Sequence, residues 1–447
     1  MSPFTLSDVG VYNLEKPSHH PNTGIGFFNH MLDQITSHAQ VGISITVTKT
    51  ENDDDLSDMN RYRDYPDQSD ILSLVGSRLG KELSTLLPPT TVNGNDKTTN
   101  SRFCCPLDEA LVECRLSLPP SRTTSSSSGT LQSFSLAPYG NHPPSTGRTS
   151  IGHLRTNAIP SFFSSLAEAS GMDIALTKTR GDNGHHVVES AFKAFSRALR
   201  NLIDGVDTSS TAEFAGVRSV WYGGAASTTI PPLMNDLRRG DVKRSTKETD
   251  IAVKICLKPG GGARVSTGVP LLDDAISVIA EAADVTMDCD CRGDLHIDDH
   301  HTSEDVAIAI GQCLDRALGT KAGLNRMWSH VATVGTSTVE VVMDLSNRPC
   351  LTQNLTFSES VEVLDGMSIE MVYHFFESIV MNGRMTVHIV QRGGASVEEG
   401  SDDEKKQKVK DTIEAAAMAF GRCLKFCMAV DPRRGGATAS SKGTLSK

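Results

Sequence analysis

Residues 23–39, TGIGFFNHMLDQITSHA, decide the fold because they have a counterpart at residues 267–283, TGVPLLDDAISVIAEAA. In both segments a Thr-Gly turn is followed by apolar residues at the spacing of an amphipathic helix. Similarity between two distant stretches of one chain indicates an internal repeat. The sequence therefore predicts two copies of one structural unit.

Two further pairs of segments follow in the same order. Residues 161–176, SFFSSLAEASGMDIAL, align without a gap on residues 374–389, HFFESIVMNGRMTVHI, and each predicts a helix followed by a strand. Residues 185–199, HHVVESAFKAFSRAL, align on residues 410–424, KDTIEAAAMAFGRCL, and both predict an amphipathic helix. A duplicated domain explains three ordered pairs better than convergent patterning does.

The chain length of 447 residues also fits two domains better than one. We expect a first copy at residues 1–205, a linker at 206–243 and a second copy at 244–447. The Ser-, Gly- and Pro-rich stretch 121–150 predicts a mobile insertion in the first copy. The acidic stretch 397–408, VEEGSDDEKKQK, predicts a second insertion before the last helix.

Composition and charge argue against several classes of protein. A net charge of −11 disfavours a nucleic-acid or membrane-surface binder. No stretch approaches the ~20 apolar residues of a spanning helix. The start of the chain lacks the features of a signal or transit peptide, so we expect a cytoplasmic protein, or a plastid one if a targeting segment is missing upstream. Ten scattered cysteines without CxxC pairs predict reduced thiols.

The strongest chemical signal is GDLHIDDHHTSED at residues 293–305, which contains an HHxxE motif formed by His300, His301 and Glu304. On a helix the carboxylate lies near both imidazoles, three and four residues away. Neighbouring helical side chains point about 100° apart, which suits two metal ions with one histidine each. The motif predicts a metal site.

A second HHxxE motif, with His185, His186 and Glu189, strengthens this prediction. A single histidine pair could be a solvated or capping face of a helix. Two motifs in one chain favour metal binding, as do four aspartates around the first motif: Asp294, Asp298, Asp299 and Asp305. The spacing alone leaves Mn, Fe, Zn and Ni open.

Five motifs, TGIGFFNHMLDQ, GDLHIDDHHTSED, DLSNRP, GHHVVESAFKAF and SSKGTL, resemble the imidazoleglycerol-phosphate dehydratase family. The resemblance implies an α/β (α+β) fold of the ribosomal protein S5 domain 2-like type, with two pseudo-symmetric sheet-plus-helices halves per copy. It implies a lyase of histidine biosynthesis that converts imidazoleglycerol phosphate to imidazole-acetol phosphate. It also implies a large homo-oligomer with di-manganese sites between subunits.

Carried over to matching positions, the resemblance implies eight metal ligands: His30, His185, His186, Glu189, His300, His301, Glu304 and His388. It implies substrate contacts at Gln34, Arg102, Lys193, Glu248, Arg348, Ser440, Ser441 and Lys442. For proton transfer it leaves Glu248, Glu189 and Glu304 open. The basic members of the set provide the local positive charge that a phosphate substrate requires on an acidic chain.

Each copy departs from the family pattern at different positions. The first copy is expected to lack the opening strand with its acidic residue, the arginine of the NRP turn and the Ser-Lys tail. At expected ligand positions it has Tyr65, Pro66, Ser69 and Ala175. The second copy has Asp274, Lys410 and Asp411 in place of histidines, and Met418 in place of Lys193; its Glu414 lacks histidine partners.

These losses are complementary, so the surviving residues of the two copies make one complete set. We therefore expect one composite site with two Mn²⁺ ions, to which both copies contribute, while the reciprocal set of positions is inactive. The alternative is an inactive relative of the dehydratase that acts as a metal-binding or assembly partner. A generic metallohydrolase would not explain the GIGFFNHMLDQ and SSKG segments.

Overall fold

The computed structural model of the chain describes residues 3–16, 19–50, 55–89, 91–92, 95–96, 98–119, 129–137, 148–206, 238–258, 260–393 and 400–445. The chain divides into two compact units. The first comprises Met1–Ala225 and Ala439–Thr444, and the second comprises Ala226–Thr438 and Leu445–Lys447. The C-terminal segment that contains the SSKG sequence therefore belongs to the first unit.

The first unit is a mixture of helices and short sheets. Its described elements are β1 (Phe4–Asn13), α1 (Gly26–Ala39), β2 (Val41–Lys49), α2 (Ser69–Ser84), β3 (Thr91–Val92), β4 (Asn95–Asp96), β5 (Thr99–Leu107), β6 (Ala110–Leu118), β7 (Leu131–Ser135), β8 (Ser150–Ile151), β9 (Leu154–Arg155), α3 (Ile159–Ser170), β10 (Asp173–Arg180) and α4 (Gly184–Ile203).

The main sheet of the first unit has the strand order β5-β6-β10-β7 and is antiparallel except for the β7–β10 pair. Helix α4 packs on β5 and β6 and against α1, and α2 packs against α3. Four buried rings fill the space between α3 and α4: Phe162, Phe163, Phe192 and Phe195. Burial of about 150 to 250 Å² per aromatic ring makes this cluster a major source of stability.

The second unit repeats this arrangement more completely. Its described elements are β11 (Arg239–Ser245), β12 (Thr249–Cys256), β13 (Ala263–Ser266), α5 (Pro270–Ala283), β14 (Thr286–Gly293), α6 (His300–Leu318), β15 (Met327–Val334), β16 (Ser337–Asp344), β17 (Cys350–Gln353), β18 (Val363–Leu364), β19 (Met367–Ser368), α7 (Met371–Asn382), β20 (Thr386–Gly393) and α8 (Asp402–Met428).

Two sheets of identical topology form the second unit, with strand orders β11-β12-β14-β13 and β15-β16-β20-β17. In each sheet one edge pair is parallel and the others are antiparallel. Helix α6 packs on β11 and β12, α8 packs on β15 and β16, and the helices pair as α5 with α8 and α6 with α7. The predicted α/β fold with pseudo-symmetric halves is confirmed.

The prediction that residues 121–150 form an unpacked insertion is wrong for part of that stretch. Leu131–Ser135 form β7, which pairs with β10 just as β17 pairs with β20. Leu136, which follows, is buried. The Ser-rich composition concealed a short edge strand whose partner lies about forty residues away in sequence. Residues 120–128 and 138–147 lie outside the described residues.

The predicted acidic insertion at 397–408 also needs correction, because α8 begins at Asp402. Ser401 and Glu404 form a capping box at its start, and three acidic residues occupy the first turn. A capping box and negative charge both stabilise a helix N-terminus. This charged stretch therefore supplies the first turns of the helix. Residues 397–399 lie outside the described residues.

The first copy does have an opening strand, contrary to expectation. Strand β1 pairs with β2 in the antiparallel manner in which β12 pairs with β14. Phe4 faces Lys49, and Thr249 faces Gly293. Lys49 and Gly293 are equivalent positions, because their separation in sequence equals that of Thr23 and Thr267. Phe4 is therefore the counterpart of Thr249, and Pro3 stands where the second copy has Glu248. The strand is present and the acidic residue is absent.

Strand β11 begins at Arg239, inside the segment predicted as linker. Residues 207–237 of that segment lie outside the described residues. Within the described ranges, no helix combines the length and apolar character needed to cross a membrane. All ten cysteines lie in the described ranges, and none of them forms a disulfide bond.

Candidate metal centre

Three predicted ligands of the first copy converge on one point. His30 Nε2 lies 3.5 Å from Glu189 Oε2, and His185 Nε2 lies 3.0 Å from the same oxygen. The three potential ligand atoms all lie within 4.8 Å of one another, and this is the one such group of three among the described residues. Two imidazoles and a carboxylate form a donor set that fits a divalent transition-metal ion.

Local sequence explains how this group, the Glu189 centre, is built. His185 and Glu189 are one helical turn apart on α4, and Asn183 caps that helix by accepting from the backbone N–H groups of His185 and His186. His30 comes from α1, which packs against α4. The Phe27 ring meets the edge of His185 with centroids 5.0 Å apart. The cap and this ring contact fix the direction of His185.

Glu189 is 13% exposed and is held ionised by its neighbours. Burial alone would raise its pKa, but hydrogen bonds from His185 and His30 and the charge of Lys193 outweigh burial and bring the pKa well below its usual range. Lys193 Nζ lies 2.6 Å from Glu189 Oε1. Since Lys193 occupies one oxygen and the histidines face the other, the carboxylate is preorganised as a ligand.

Gln34 joins the C-terminal segment to this centre. Its Nε2 lies 3.3 Å from His30 Nε2 and donates to Ser441 Oγ at 3.1 Å. Gln34 is fully buried. The Ser440 hydroxyl accepts from the backbone N–H of Lys442, which is exposed. Gln34 and Ser441, two predicted substrate-binding residues, are thus adjacent to a predicted ligand.

His186 points away from the Glu189 centre. Its Nδ1 lies 2.9 Å from Glu109 Oε2, and its Nε2 lies 3.7 Å from Asp108 Oδ2, both in the β5–β6 turn. Its ring plane makes an angle of 80° with that of His185. The two rings diverge as expected for adjacent residues of a helix. Sequence reasoning missed Asp108 and Glu109 because their proximity depends on the packing of α4 against β6.

In the second unit, the other HHxxE motif begins α6. His300 Nε2 lies 3.7 Å from Glu304 Oε2, and His301 Nε2 lies 4.0 Å from Glu248 Oε1. All four side chains are at least 36% exposed, so they can accept further partners. Two imidazoles and two carboxylates, all predicted site residues, thus lie at the N-terminus of α6 and in the adjacent β11–β12 turn.

Asp294 orients His301 by accepting from its Nδ1 at 3.0 Å. This hydrogen bond raises the pKa of His301, with a smaller contribution from the charge of Glu248. A carboxylate on one ring nitrogen fixes the tautomer and leaves the other nitrogen for a metal ion. Asp294 therefore has the geometry of a residue that supports a metal ligand.

The other three aspartates of this motif have structural partners. Asp298 accepts from the backbone N–H of His300, and Asp299 accepts from the backbone N–H and the hydroxyl of Ser368. Asp305 pairs with Arg244 and accepts from Thr249. They hold the start of α6 in place and are not grouped as ligands.

His388 lies in β20 between β16 and β17, fully buried, and belongs to no group of three potential ligands among the described residues. Arg348 lies in the turn before β17, where its backbone N–H donates to Ser346 Oγ. Arg102 on β5 forms an ion pair with Glu113, with Nη2 2.5 Å from Oε2. The two predicted phosphate-binding arginines therefore lie on different units.

Second-copy substitutions replace the Glu189 centre with an ion pair. Lys410 Nζ lies 3.7 Å from Asp274 Oδ2 and 3.3 Å from Asp365 Oδ2. Asp411 accepts from Gln407, one turn earlier on α8. The opposite charges of Asp274 and Lys410 are a sequence signal for their ion pair. The contact of Lys410 with Asp365 could be found only from the folded structure.

The first-copy counterparts of the HHxxE residues were predicted one turn too early. Helix α2 begins at Ser69, and α6 begins at His300. A Cβ on Gly80 would lie 2.6 Å from Leu166 O, and one on Gly311 would lie 2.7 Å from Ile379 O, so these glycines mark the same helix crossing. The counterparts of His300, His301 and Glu304 are therefore Ser69, Asp70 and Ser73, not Tyr65, Pro66 and Ser69.

A sequence model of the family described as imidazoleglycerol-phosphate dehydratase matches residues 23–199 and 267–424, which together exceed half of the chain. The chain is 39% identical to imidazoleglycerol-phosphate dehydratase of Prochlorococcus marinus (strain MIT 9313), over 48% of this chain and 95% of that protein. It is 38% identical to the chloroplastic enzyme of Pisum sativum, over 53% of this chain and 79% of that protein.

Among solved structures, imidazoleglycerol-phosphate dehydratase from Staphylococcus aureus is 25% identical and covers 43% of this chain and 99% of its own, with a TM-score of 0.37. The family match in two separate segments accounts for the repeat detected in the sequence. The chain belongs to the imidazoleglycerol-phosphate dehydratase family of hydro-lyases, as a tandem duplication of the family domain.

Proposed function

We propose that this chain dehydrates imidazoleglycerol phosphate to imidazole-acetol phosphate in histidine biosynthesis, at a site with two Mn²⁺ ions whose ligands come from both copies. The observation that carries the proposal is the complementary state of the copies. The first keeps His30, His185 and Glu189 together, while the corresponding positions of the second hold an ion pair. Conversely, the second keeps His300, His301 and Glu304 where the first has no histidine.

The donor set supports a metal-dependent reaction. Imidazole and carboxylate ligands suit Mn²⁺ as well as other divalent ions. When bound, such ions supply Lewis acidity that stabilises the anionic form of the substrate imidazole. Asp294 orients the ring of His301, and the Phe27 ring packs against the ring of His185, which supports ligand roles for both imidazoles.

The chemical step requires a base for a carbon-bound proton. The C–H bond of the middle carbon breaks, the hydroxyl on the carbon next to the ring leaves as water after protonation, and the resulting enol becomes the ketone. Glu189 is already engaged by two imidazoles and Lys193, whereas Glu248 is 51% exposed at the β11–β12 turn. We therefore assign proton transfer to Glu248 and ligand roles to Glu189 and Glu304.

The basic and hydroxyl residues bind the phosphate group. Arginine guanidinium groups match phosphate geometry, and serine hydroxyls complete the contacts. We assign this role to residues of both copies: Arg102, Lys193, Arg348, Ser440, Ser441 and Lys442. Their contribution is ground-state binding of the substrate through its phosphate group, which affects KM more than kcat.

The test is turnover of imidazoleglycerol phosphate by the purified full-length chain loaded with Mn²⁺, with the His185→Ala and His301→Ala variants alongside. We expect the parent chain to be active and both variants to lose at least ~100-fold in kcat/KM, because each removes a ligand of the site. A metal-loaded, folded parent chain without turnover would favour the inactive assembly-partner alternative. Full activity in either variant would contradict a contribution from both copies.

A further inference from the structure

Lys321 is a lysine that is buried in the second unit just beyond the end of α6. Its Nζ donates to Asn347 Oδ1 at 2.5 Å and to the backbone carbonyl of Arg384 at 3.2 Å, and lies 3.5 Å from Asp315 Oδ1. Burying an ammonium group is costly unless it is hydrogen-bonded and paired. These three partners therefore fix the position of the Lys321 ammonium group.

The partner Asn347 immediately precedes Arg348 in the SNRP turn. The other contacts of that turn hold the backbone of Arg348: Ser346 Oγ accepts from its N–H, and Thr386 Oγ1 donates to its carbonyl at 2.8 Å. The backbone N–H of Asn347 donates to the carbonyl of Arg384 at 3.0 Å. Lys321 thus adds a hydrogen bond to the side chain of Asn347, in a turn in which the backbone of Arg348 is already held by Ser346 and Thr386.

Three residues of this network have left-handed backbone conformations, which L-residues other than Asn and Asp adopt at a cost. Their φ angles are +57° at Lys321, +59° at Asn347 and +53° at Arg384. Residues in such conformations persist when surrounding contacts over-determine them, and they cluster at functional sites. The contacts from Lys321 Nζ connect all three.

Charge on Lys321 is compatible with its burial. Burial lowers the pKa of Lys321 to about 8, opposed by the charge and hydrogen bond of Asp315. The ammonium form therefore predominates at neutral pH, where it can donate to Asn347 and Arg384 simultaneously.

We propose that Lys321 is a positioning residue for substrate phosphate: through Asn347 it fixes the turn that places Arg348. The inference rests on the proposed phosphate-binding role of Arg348. Lys321 itself does not contact substrate. Without the Lys321 ammonium group the turn loses a hydrogen bond to Asn347, and the Arg348 guanidinium samples positions away from the phosphate.

The experiment measures kcat, KM and Mn²⁺ content of the full-length chain and four variants: Lys321→Met, Asn347→Gly, their double variant and Arg348→Ala. Asn347→Gly is the milder change because glycine keeps the left-handed backbone while removing the acceptor. We expect KM to rise about tenfold in each single variant, with kcat and metal content nearly unchanged, since substrate binding alone is weakened. The double variant should cost no more than one single change, because both act through the same bond.

Different outcomes separate this inference from the proposed function. No turnover by the parent chain, or an unchanged KM in Arg348→Ala, counts against the proposed function. A raised KM in Arg348→Ala with an unchanged KM in folded Lys321→Met or Asn347→Gly overturns the positioning role. Additive effects in the double variant also overturn it. If Lys321→Met does not fold, Asn347→Gly alone decides the question.

Discussion

Lys410 Nζ lies 3.7 Å from Asp274 Oδ2 in the second copy, at the two positions that His185 and His30 occupy in the first. The proposed cation site of the first copy is thus matched in the second copy by an ion pair that includes the ammonium group of Lys410. The Lys410 ammonium, held also by Asp365, provides the positive charge that a metal ion would provide. The Lys410 ammonium group neutralises the carboxylates of Asp274 and Asp365, so no metal ion is needed to balance their charge.

The first prediction follows from this exchange. His30→Ala and His185→Ala should each lower Mn²⁺ content, because the Glu189 centre loses one of three potential ligands. Asp274→Ala and Lys410→Ala, the matched changes in the second copy, should leave metal content within error. Elemental analysis of the dialysed chain measures this, with about two ions per parent chain expected because eight ligand positions survive. Four ions per chain would contradict the proposal.

The second prediction concerns the bond between Asp299 and Ser368. Asp299 directly precedes His300, and its two carboxylate oxygens accept from the backbone N–H and hydroxyl of Ser368 in the β18–β19 hairpin. Asp299→Ala should lower Mn²⁺ affinity about tenfold, the effect typical of residues that orient ligands. Titration calorimetry with MnCl₂ is the measurement.

Gln68 provides the control for Asp299. It precedes α2 as Asp299 precedes α6, and it bonds to the β8–β9 hairpin through the N–H of Arg155 and the carbonyl of His153. Gln68→Ala removes a comparable bond beside a helix without ligands. It should reduce stability without changing Mn²⁺ affinity. Equal metal affinities in the two variants would show that the Asp299 contact has only a general structural role.

The third prediction concerns stability in acid. His330 is nearly fully buried on β15, and burial, with a contribution from Arg422, lowers its pKa to about 4. As pH falls from 6.5, the unfolded chain gains a proton that the folded chain cannot accept until about pH 4. Stability is therefore lost across this window, by about 2 kcal/mol at pH 5.

Phe103 is the first-copy counterpart of His330. Phe103 pairs with Cys114 on β6, His330 pairs with Val341 on β16, and these two partners are equivalent in the repeat. His330→Phe therefore places a residue that the fold already accepts there. Urea denaturation at pH 8 and pH 5 should show a smaller loss of stability in the variant than in the parent chain. Identical losses would mean that His330 does not control acid stability.

Sequence reasoning succeeded where the signal is local. The HHxxE motifs depend on helical spacing, and the structure places His185 with Glu189 and His300 with Glu304, four residues apart. The expected second pair of each motif, three residues apart, is not formed, because His186 pairs with Glu109 and His301 with Asp294. Repeated segments were equally visible because both copies retain apolar periodicity. The α/β fold followed from these segments and from the family resemblance.

The failures came from contacts between segments distant in sequence. Strand β7 was missed because its pairing with β10 is not encoded in its own Ser-rich composition. Tyr65 was aligned with His300 because the loop before α2 differs in length from that before α6, and only the crossing at Gly80 fixes the register. Lys321 gave no signal because its burial and its contact with Asn347 both result from folding.

The last prediction distinguishes the carboxylate that transfers the proton from those that bind metal. Glu189 and Glu304 face histidines of their own motifs, whereas Glu248 comes from the turn before β12 and its carboxylate approaches His301 Nε2, at 4.0 Å. A general base contributes typically about 10²- to 10⁴-fold to rate. Glu248→Gln should therefore lower kcat at least ~100-fold while Mn²⁺ content stays at the parental level. Glu189→Gln and Glu304→Gln should lose both activity and metal. Loss of metal in Glu248→Gln would make it a ligand, and normal turnover would transfer the base role to another group.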